Sequence, residues 1–323
     1  MVSAEGPPPL LWLVGDGNKR PIAWRYWVRD TAIGLLNSTV HAALRLLPTE
    51  LCSGFGALLG PLSRYRYPES DARARRLWTA LHPQESDPAS LDRVMRHLWR
   101  CVGRTMAEFS VLDRFWSEGR IVVEGAEHLT AARATGKPIL VASCHLGNWE
   151  TIGTTLVPLG FPGSGFYEPP ENRFDHRIAV KVRLRYGAKL VFPTRIGGRE
   201  AYRLLTEIKD EVFLIYVDEL FRGRVSAPAF GRALKPEGNI AHVARLARLT
   251  GAAVIPVYCV RLNDRARFKV TYLPPINLVR SESKLGDLEA NIAEIDRTFA
   301  PVIKAHLDQW YYALDFEPDP PAP

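Results

Sequence analysis

At 323 residues, with 46% hydrophobic and 24% charged side chains, the chain has the make-up of a folded globular protein, which excludes a disordered polypeptide. A net charge of +7 favours anionic partners (phosphorylated lipid, an acidic carrier protein or nucleic acid) without choosing among them. The four cysteines, Cys52, Cys101, Cys144 and Cys259, stand far apart with no paired spacing, so neither a disulfide framework nor a zinc site is signalled and reduced thiols facing the cytosol are expected.

Residues 1–20 mix Pro7-Pro8-Pro9 with Gly15, Asp16 and Gly17 and read as a disordered tail with no secretory leader. Residues 21–117 read as a helical region. Trp24, Trp27, Val28, Ile33, Leu36, Val40 and Leu44 recur at helical spacings, interrupted by Arg25, Arg29 and Asp30. A stretch of this kind either lies in a lipid headgroup layer or forms a core helix of a bundle. No run approaches the 20 or so apolar residues of a membrane span, so a membrane partner would be met at its surface. Leu51 to Leu62 is a second apolar stretch, followed by the basic cluster Arg64, Arg66, Arg73, Arg75 and Arg76.

From residue 118 to 323 strands and helices alternate. Strands are predicted at Ile121–Val123, Pro138–Ser143, Ala188–Phe192, Val212–Val217, Ala253–Cys259 and Phe268–Leu273. Helices are predicted at Phe174–Tyr186, Gly198–Lys209 and Asn239–Leu249, with one long helix or a pair over Ser283–Tyr312. That rhythm predicts an α/β fold with a largely parallel central sheet flanked by helices, preceded by the helical region.

The segment from Ile139 to Glu150 runs an apolar strand into His145, then Gly147, then a helix opening near Asn148. Open α/β sheets bind ligands at the carboxyl ends of their strands, and His145 falls at such an end. The five-residue offset from His145 to Glu150 amounts to roughly 140° on a regular helix, so the two meet only if the backbone turns at Gly147. A carboxylate on one ring nitrogen would fix the tautomer and raise the basicity of the other, the arrangement a general base requires. Taken alone, a histidine after a strand is more often a satisfied polar residue. Cys144, its neighbour, should point to the opposite face as a buried thiol.

His145-Leu146-Gly147-Asn148-Trp149-Glu150 resembles the His-x-x-x-x-Asp/Glu signature of glycerolipid-type acyltransferases, and specifically the His-x-x-Asn-Trp-Glu form of the bacterial late lipid A acyltransferases (lauroyl and myristoyl transferases). The likeness extends from about Leu46 to Tyr312. It takes in Tyr167-Glu168-Pro169-Pro170, Asp218 at the first position of the family's Asp-Gln pair, Phe230-Gly231-Arg232, and Gln309-Trp310. Glu219 replaces the glutamine, and an ionised carboxylate accepts hydrogen bonds but donates none.

The resemblance implies transfer of a fatty acyl chain from acyl carrier protein or coenzyme A to a hydroxyl of a membrane glycolipid or phospholipid, a lipid A precursor preferred. It implies action as a peripheral protein on the cytoplasmic face of the bacterial inner membrane, with His145 as base and Glu150 as its partner and no metal or other cofactor. Asn148, Arg195, Arg199, Asp218, Glu219 and Arg232 are the expected substrate-binding residues, the arginines for phosphate. Backbone N–H groups near Gly147 and Asn148 are the expected oxyanion donors. A thioester hydrolase using the same pair is the competing reading. A nucleic-acid binder is not expected, because no array of aromatics interleaved with Lys and Arg stands out.

Overall fold

The computed structural model describes residues 7–14, 17–192, 195–208 and 211–318. Leu10–Leu13 form a 3-10 turn, and helix α1 (Lys19–Trp24) begins inside the stretch that composition reads as a tail. Prolines then cut the helical region into α2 (Asp30–Leu46), α3 (Thr49–Leu59), α4 (Ser63–Arg66), α5 (Pro68–Leu81) and α6 (Pro88–Glu108). Pro48, Pro68 and Pro88 each sit at or just inside a helix start, where a missing N–H costs nothing. Asp87 caps α6 by accepting from the Ala89 and Ser90 amides at 3.1 Å each.

α3 and α6 pack almost backbone to backbone. A Cβ on Gly56 would lie 2.3 Å from the Gly103 carbonyl oxygen, and one on Gly103 would lie 2.2 Å from that of Gly56. Gly56 and Gly103 therefore serve a helix contact, which leaves the other side of α3 to show Leu51, Phe55, Leu58 and Leu59 to the outside. Among the described residues no helix is long and apolar enough to cross a membrane.

The α/β region follows as β1 (Ile121–Glu124), α7 (Glu127–Ala134), β2 (Ile139–Ser143), α8 (Glu150–Leu156), β3 (Gly163–Phe166), α9 (Arg173–Arg185), β4 (Lys189–Val191), α10 (Arg195–Glu207) and β5 (Val212–Tyr216). A short hairpin of β6 (Leu220–Phe221) and β7 (Arg224–Val225) comes next, then α11 (Gly238–Thr250), β8 (Ala253–Arg261), β9 (Phe268–Tyr272) and α12 (Lys284–Ala305). The seven-stranded sheet runs β1-β9-β8-β2-β5-β3-β4, with every pairing parallel except β8 with β9. It is the mixed, mainly parallel sheet that the alternation of elements predicts. The sequence reading lacks β3, whose glycines carry no strand propensity, and the small hairpin.

β2 lies in the middle and is buried along its whole length. Leu140 and Ala142 face a core shared with α5, α6, α10, α11 and α12. Ile139 and Val141 face another shared with α7 and α8. Burial on both faces is why this strand reads as an unbroken apolar run.

Candidate active site

Register places the two central residues. Ser143 of β2 pairs with Tyr216 of β5, and the Val217 amide donates to the Ser143 carbonyl at 2.8 Å. His145 and Asp218 each lie two residues beyond that pair, at the carboxyl ends of adjacent parallel strands. Asp218 is fully buried, and one carboxylate oxygen, Oδ1, is 2.7 Å from His145 Nδ1. Its other oxygen, Oδ2, accepts from the His145 backbone N–H at 2.7 Å and from the Trp310 indole N–H at 2.8 Å. With Nδ1 held as a donor to Asp218, the unprotonated nitrogen of the neutral ring is Nε2, the form a base needs. Trp149, Tyr216 and Tyr312 surround the ring with centroids 4.5–5.1 Å away.

The carboxylate that orients His145 is thus Asp218, which corrects the pairing with Glu150 read from the motif. Glu150 opens α8 and lies in a salt bridge with Arg183 of α9, whose Nε is 3.1 Å from Oε2, and the Tyr186 hydroxyl donates to the same oxygen at 3.3 Å. The turn at Gly147 does occur, with φ +60°, but it aims the first turn of α8 at α9. There a guanidinium, always charged, is a stronger partner for a carboxylate than a neutral imidazole. Gly147 is required by space as well, because a Cβ would come within 2.7 Å of the Cys259 carbonyl oxygen.

Asn148 is also placed otherwise than expected. It is 1% exposed and donates through Nδ2 to Glu108 at 2.8 Å, away from any cavity. Glu108, fully buried at the end of α6, holds the Arg261 guanidinium through two bonds of 2.7 Å and accepts from the Ser53 hydroxyl at 2.6 Å. Arg261 and these donors keep its carboxyl below the usual range against the opposing effect of burial. Asn148 therefore ties the loop after β2 to α6, and the Thr105 hydroxyl adds a bond to the Gly147 carbonyl at 3.1 Å.

The two amides expected as oxyanion donors are engaged: Gly147 N–H binds the Gln309 carbonyl at 3.0 Å, and Asn148 N–H points at the Cys259 sulfur. Cys144 is buried as expected, and desolvation lifts its thiol well above the ordinary value, so it is no nucleophile. Among the described residues no cluster of His, Cys, Asp and Glu is placed to hold a metal ion.

Of the expected phosphate ligands, Arg232 is a structural residue. It is 6% exposed, stacks on Phe316 at 3.8 Å and donates to the carbonyls of Val225, Pro228, Ala229 and Glu317. Arg199 is exposed on α10 and is not part of the lining of the cavity that holds His145, whereas the side chain of Arg195 lies outside what is described. Glu219 does border the site. Its Oε1 accepts from the Asn239 amide at 2.5 Å, and its buried Oε2 has no hydrogen-bond partner. Burial first, and then the charge of Asp218, raise this carboxyl to about 8, against the opposing Asn239 N–H and Ser226 hydroxyl. At neutral pH the group is therefore mostly a carboxylic acid, with one donor and one acceptor like the amide it replaces.

His145, Trp149, Glu150, Glu219 and Tyr312 line a cavity of about 650 Å³ together with Leu156, Val157, Leu190 and Leu214, and with polar residues such as Ser164 and Lys189. A cavity that joins polar and apolar side chains suits a ligand with a polar head and a hydrocarbon tail.

The model of a family described as bacterial lipid A biosynthesis acyltransferase matches residues 21–314. The chain is 24% identical over 258 residues to the lipid A biosynthesis palmitoleoyltransferase of Escherichia coli, covering 77% of this chain and 79% of that one. It is 24% identical over 295 residues to the lipid A biosynthesis lauroyltransferase of the same organism, covering 89% and 90%. It is 26% identical over 246 residues to a phosphatidylinositol mannoside acyltransferase of Mycolicibacterium smegmatis, covering 68% and 77%. Among solved structures it is similar to the 1-acyl-sn-glycerophosphate acyltransferase PlsC of Thermotoga maritima, with 13% identity, 86% of this chain and 100% of that chain covered, and a TM-score of 0.38.

Proposed function

The chain belongs to the bacterial lipid A biosynthesis acyltransferase family and is an enzyme that transfers acyl groups; from that premise we propose that it moves a fatty acyl chain from a thioester, on acyl carrier protein or coenzyme A, to a hydroxyl of a membrane glycolipid, with a lipid A precursor the preferred acceptor. The observation that carries the chemistry is the Asp218–His145 pair, with His145 lining a cavity that also holds Leu156, Val157, Leu190 and Leu214. In this reading His145 Nε2 takes the proton from the acceptor hydroxyl as its oxygen attacks the thioester carbonyl. The tetrahedral intermediate then collapses, the carbon–sulfur bond breaks, and the imidazolium returns the proton to the departing thiolate. Asp218 holds the tautomer and stabilises the transient positive charge. No covalent acyl-enzyme is required. Glu150 keeps Arg183 at the cavity wall, and Glu219, as a neutral acid, adds a polar group to it.

Two features support work at a membrane surface. The outer sides of α2 and α3 expose apolar side chains, Leu36 at 63% and Leu58 at 72% among them, and basic residues such as Arg20, Arg29 and Arg66 accompany them. Apolar burial with Lys or Arg at its edge is how an interfacial helix binds anionic lipid. By this reading the protein sits peripherally on the cytoplasmic face of the inner membrane.

The test uses the purified full chain, a long-chain acyl thioester and vesicles of anionic phospholipid that contain a lipid A precursor. Wild type should sediment with the vesicles and form a new ester. His145→Ala should still sediment but lose about 10²–10⁴ in rate. A His145→Ala protein that keeps most of its transfer rate ends the assignment of the base. Free fatty acid as the sole product would make the pair a thioester hydrolase instead.

A further inference from the structure

A second cavity, of about 490 Å³, adjoins the first and has no part in the chemistry described so far. Its volume lies within the range of small-ligand sites. α2 lines it with Asn37, Val40, His41 and Leu44, the i, i+3, i+4, i+7 stripe of one helix face, and Met106 of α6, Phe109 just beyond it and Ile178 of α9 add to its apolar walls. Trp149, Glu150, Tyr167, Glu168 and Arg183 belong to both cavities and form the wall between the second cavity and the chamber that holds His145.

Apart from the exposed carboxylate of Glu168, the polar groups around the second cavity already have partners. Asn37 donates to Asp175 at 3.0 Å, and His41 Nδ1 and the Ser110 hydroxyl are 2.9 Å apart. Thr105 donates to the Gly147 carbonyl, and Glu150 and Arg183 neutralise each other. Burial, with the nearby arginines, holds His41 below its ordinary value, which favours the neutral ring. Away from Glu168, a ligand here meets hydrocarbon and satisfied polar groups, so what it should present there is hydrocarbon.

The chemistry of acyl transfer decides which hydrocarbon. In a thioester donor the alkyl chain is bonded directly to the reacting carbonyl carbon, so it must lie in the cavity that contains His145. In a lipid acceptor a polar headgroup separates the reacting hydroxyl from the alkyl chains. A chain lodged beyond the Trp149 wall, with a headgroup crossing it, fits the acceptor and not the donor. α2 also exposes Leu35 and Leu36 beside this stripe, so one helix can both rest on lipid and border the cavity.

We propose that the cavity between α2, α6 and α9 binds an alkyl chain of the acceptor lipid, so that acceptor and donor reach His145 from opposite sides of the Trp149–Glu150–Arg183 wall. This rests on the acyl-transfer reading, and the test is chosen to work without catalysis. An alkyl glucoside carrying a diazirine near its chain end is photolysed with full-length His145→Ala protein, and the labelled peptides are mapped. Label should fall in α2, the end of α6 and α9. Val40→Trp, at a position half exposed and so tolerant of bulk, should lower it about tenfold by filling the cavity. A separate titration with an acyl thioester should show donor binding changed less than twofold by Val40→Trp, with thermal melting to verify the fold. Label confined to the peptides around Gly163–Phe166 and Lys189–Val191, no specific label at all, or label in α2 indifferent to Val40→Trp overturns the proposal. Loss of transfer activity in wild type with the labelling pattern intact would instead count against the acyl-transfer reading alone.

Discussion

Replacing Asp218 by Asn tests which acid governs His145, and the hydrogen bonds fix the outcome in advance. Oδ2 receives two N–H donors, from the His145 backbone and the Trp310 indole, whereas Oδ1 receives only Nδ1. An asparagine has one oxygen and one NH₂, and its oxygen must occupy the Oδ2 position, because an NH₂ there would face two donors. Its NH₂ then faces Nδ1, which must become an acceptor, and the ring proton moves to Nε2. The base is thereby blocked at the nitrogen that should take the substrate proton. The loss expected for a wrong tautomer is about 10³–10⁴ in kcat, or roughly 4–5.5 kcal/mol of barrier. The two bonds at Oδ2 survive, so the melting temperature should change little. The assay is release of thiol from an acyl thioester in the presence of acceptor, paired with nitrogen NMR of the histidines to read the tautomer. An Asp218→Asn protein with more than about a tenth of wild-type kcat, or one still protonated at Nδ1, refutes the reasoning.

Two further outcomes follow from the same geometry. Trp310→Phe keeps an aromatic ring against Phe230 and Phe316 but removes one donor from a buried carboxylate; kcat should fall about 5- to 30-fold, from 1–2 kcal/mol of lost orientation, and acceptor KM should barely move. Glu219 links stability to pH. The unfolded chain ionises it near 4.5 and the folded chain near 8, so folding is favoured below the lower value and that advantage is lost as pH rises to about 8, by on the order of 4 kcal/mol. Glu219→Gln removes the effect, so denaturant unfolding should show the variant gaining on wild type from pH 5 to pH 8.5, and a constant difference would refute it.

Much of the fold was open to the sequence because its signals are local. The apolar run Ile139–Ser143 and the alternation of strands and helices after residue 118 are such signals, whereas the division of residues 21–117 at Pro48, Pro68 and Pro88 appears only in the structure. His145 stood out through the whole His-Leu-Gly-Asn-Trp-Glu stretch, because its place at the end of a buried strand does not by itself distinguish it from a satisfied polar residue. Its partner did not stand out. Glu150 is close in sequence, but Asp218 is close in space only because β5 inserts beside β2, and strand order is a property of the whole sheet. Asn148 and Arg232 mislead for a related reason: polar residues near a site look like ligands until the buried groups they satisfy, Glu108 and four carbonyls, are seen. The raised pKa of Glu219 depends on burial that no spacing reveals.

The segment after α12 has a consequence for when the enzyme becomes competent. Gln309 accepts from Gly147, Tyr311 donates to the His145 carbonyl, and Trp310 holds Asp218, so three successive residues close the catalytic loop from outside the sheet. On the proposed function, α2 and α3 leave the ribosome early, with their apolar sides free to meet lipid, while the His145–Asp218 pair stays unset until these late residues arrive. On that reading the order of the chain delays acyl transfer until the protein has had time to reach its lipid, and a shortened product that still docks would be inert.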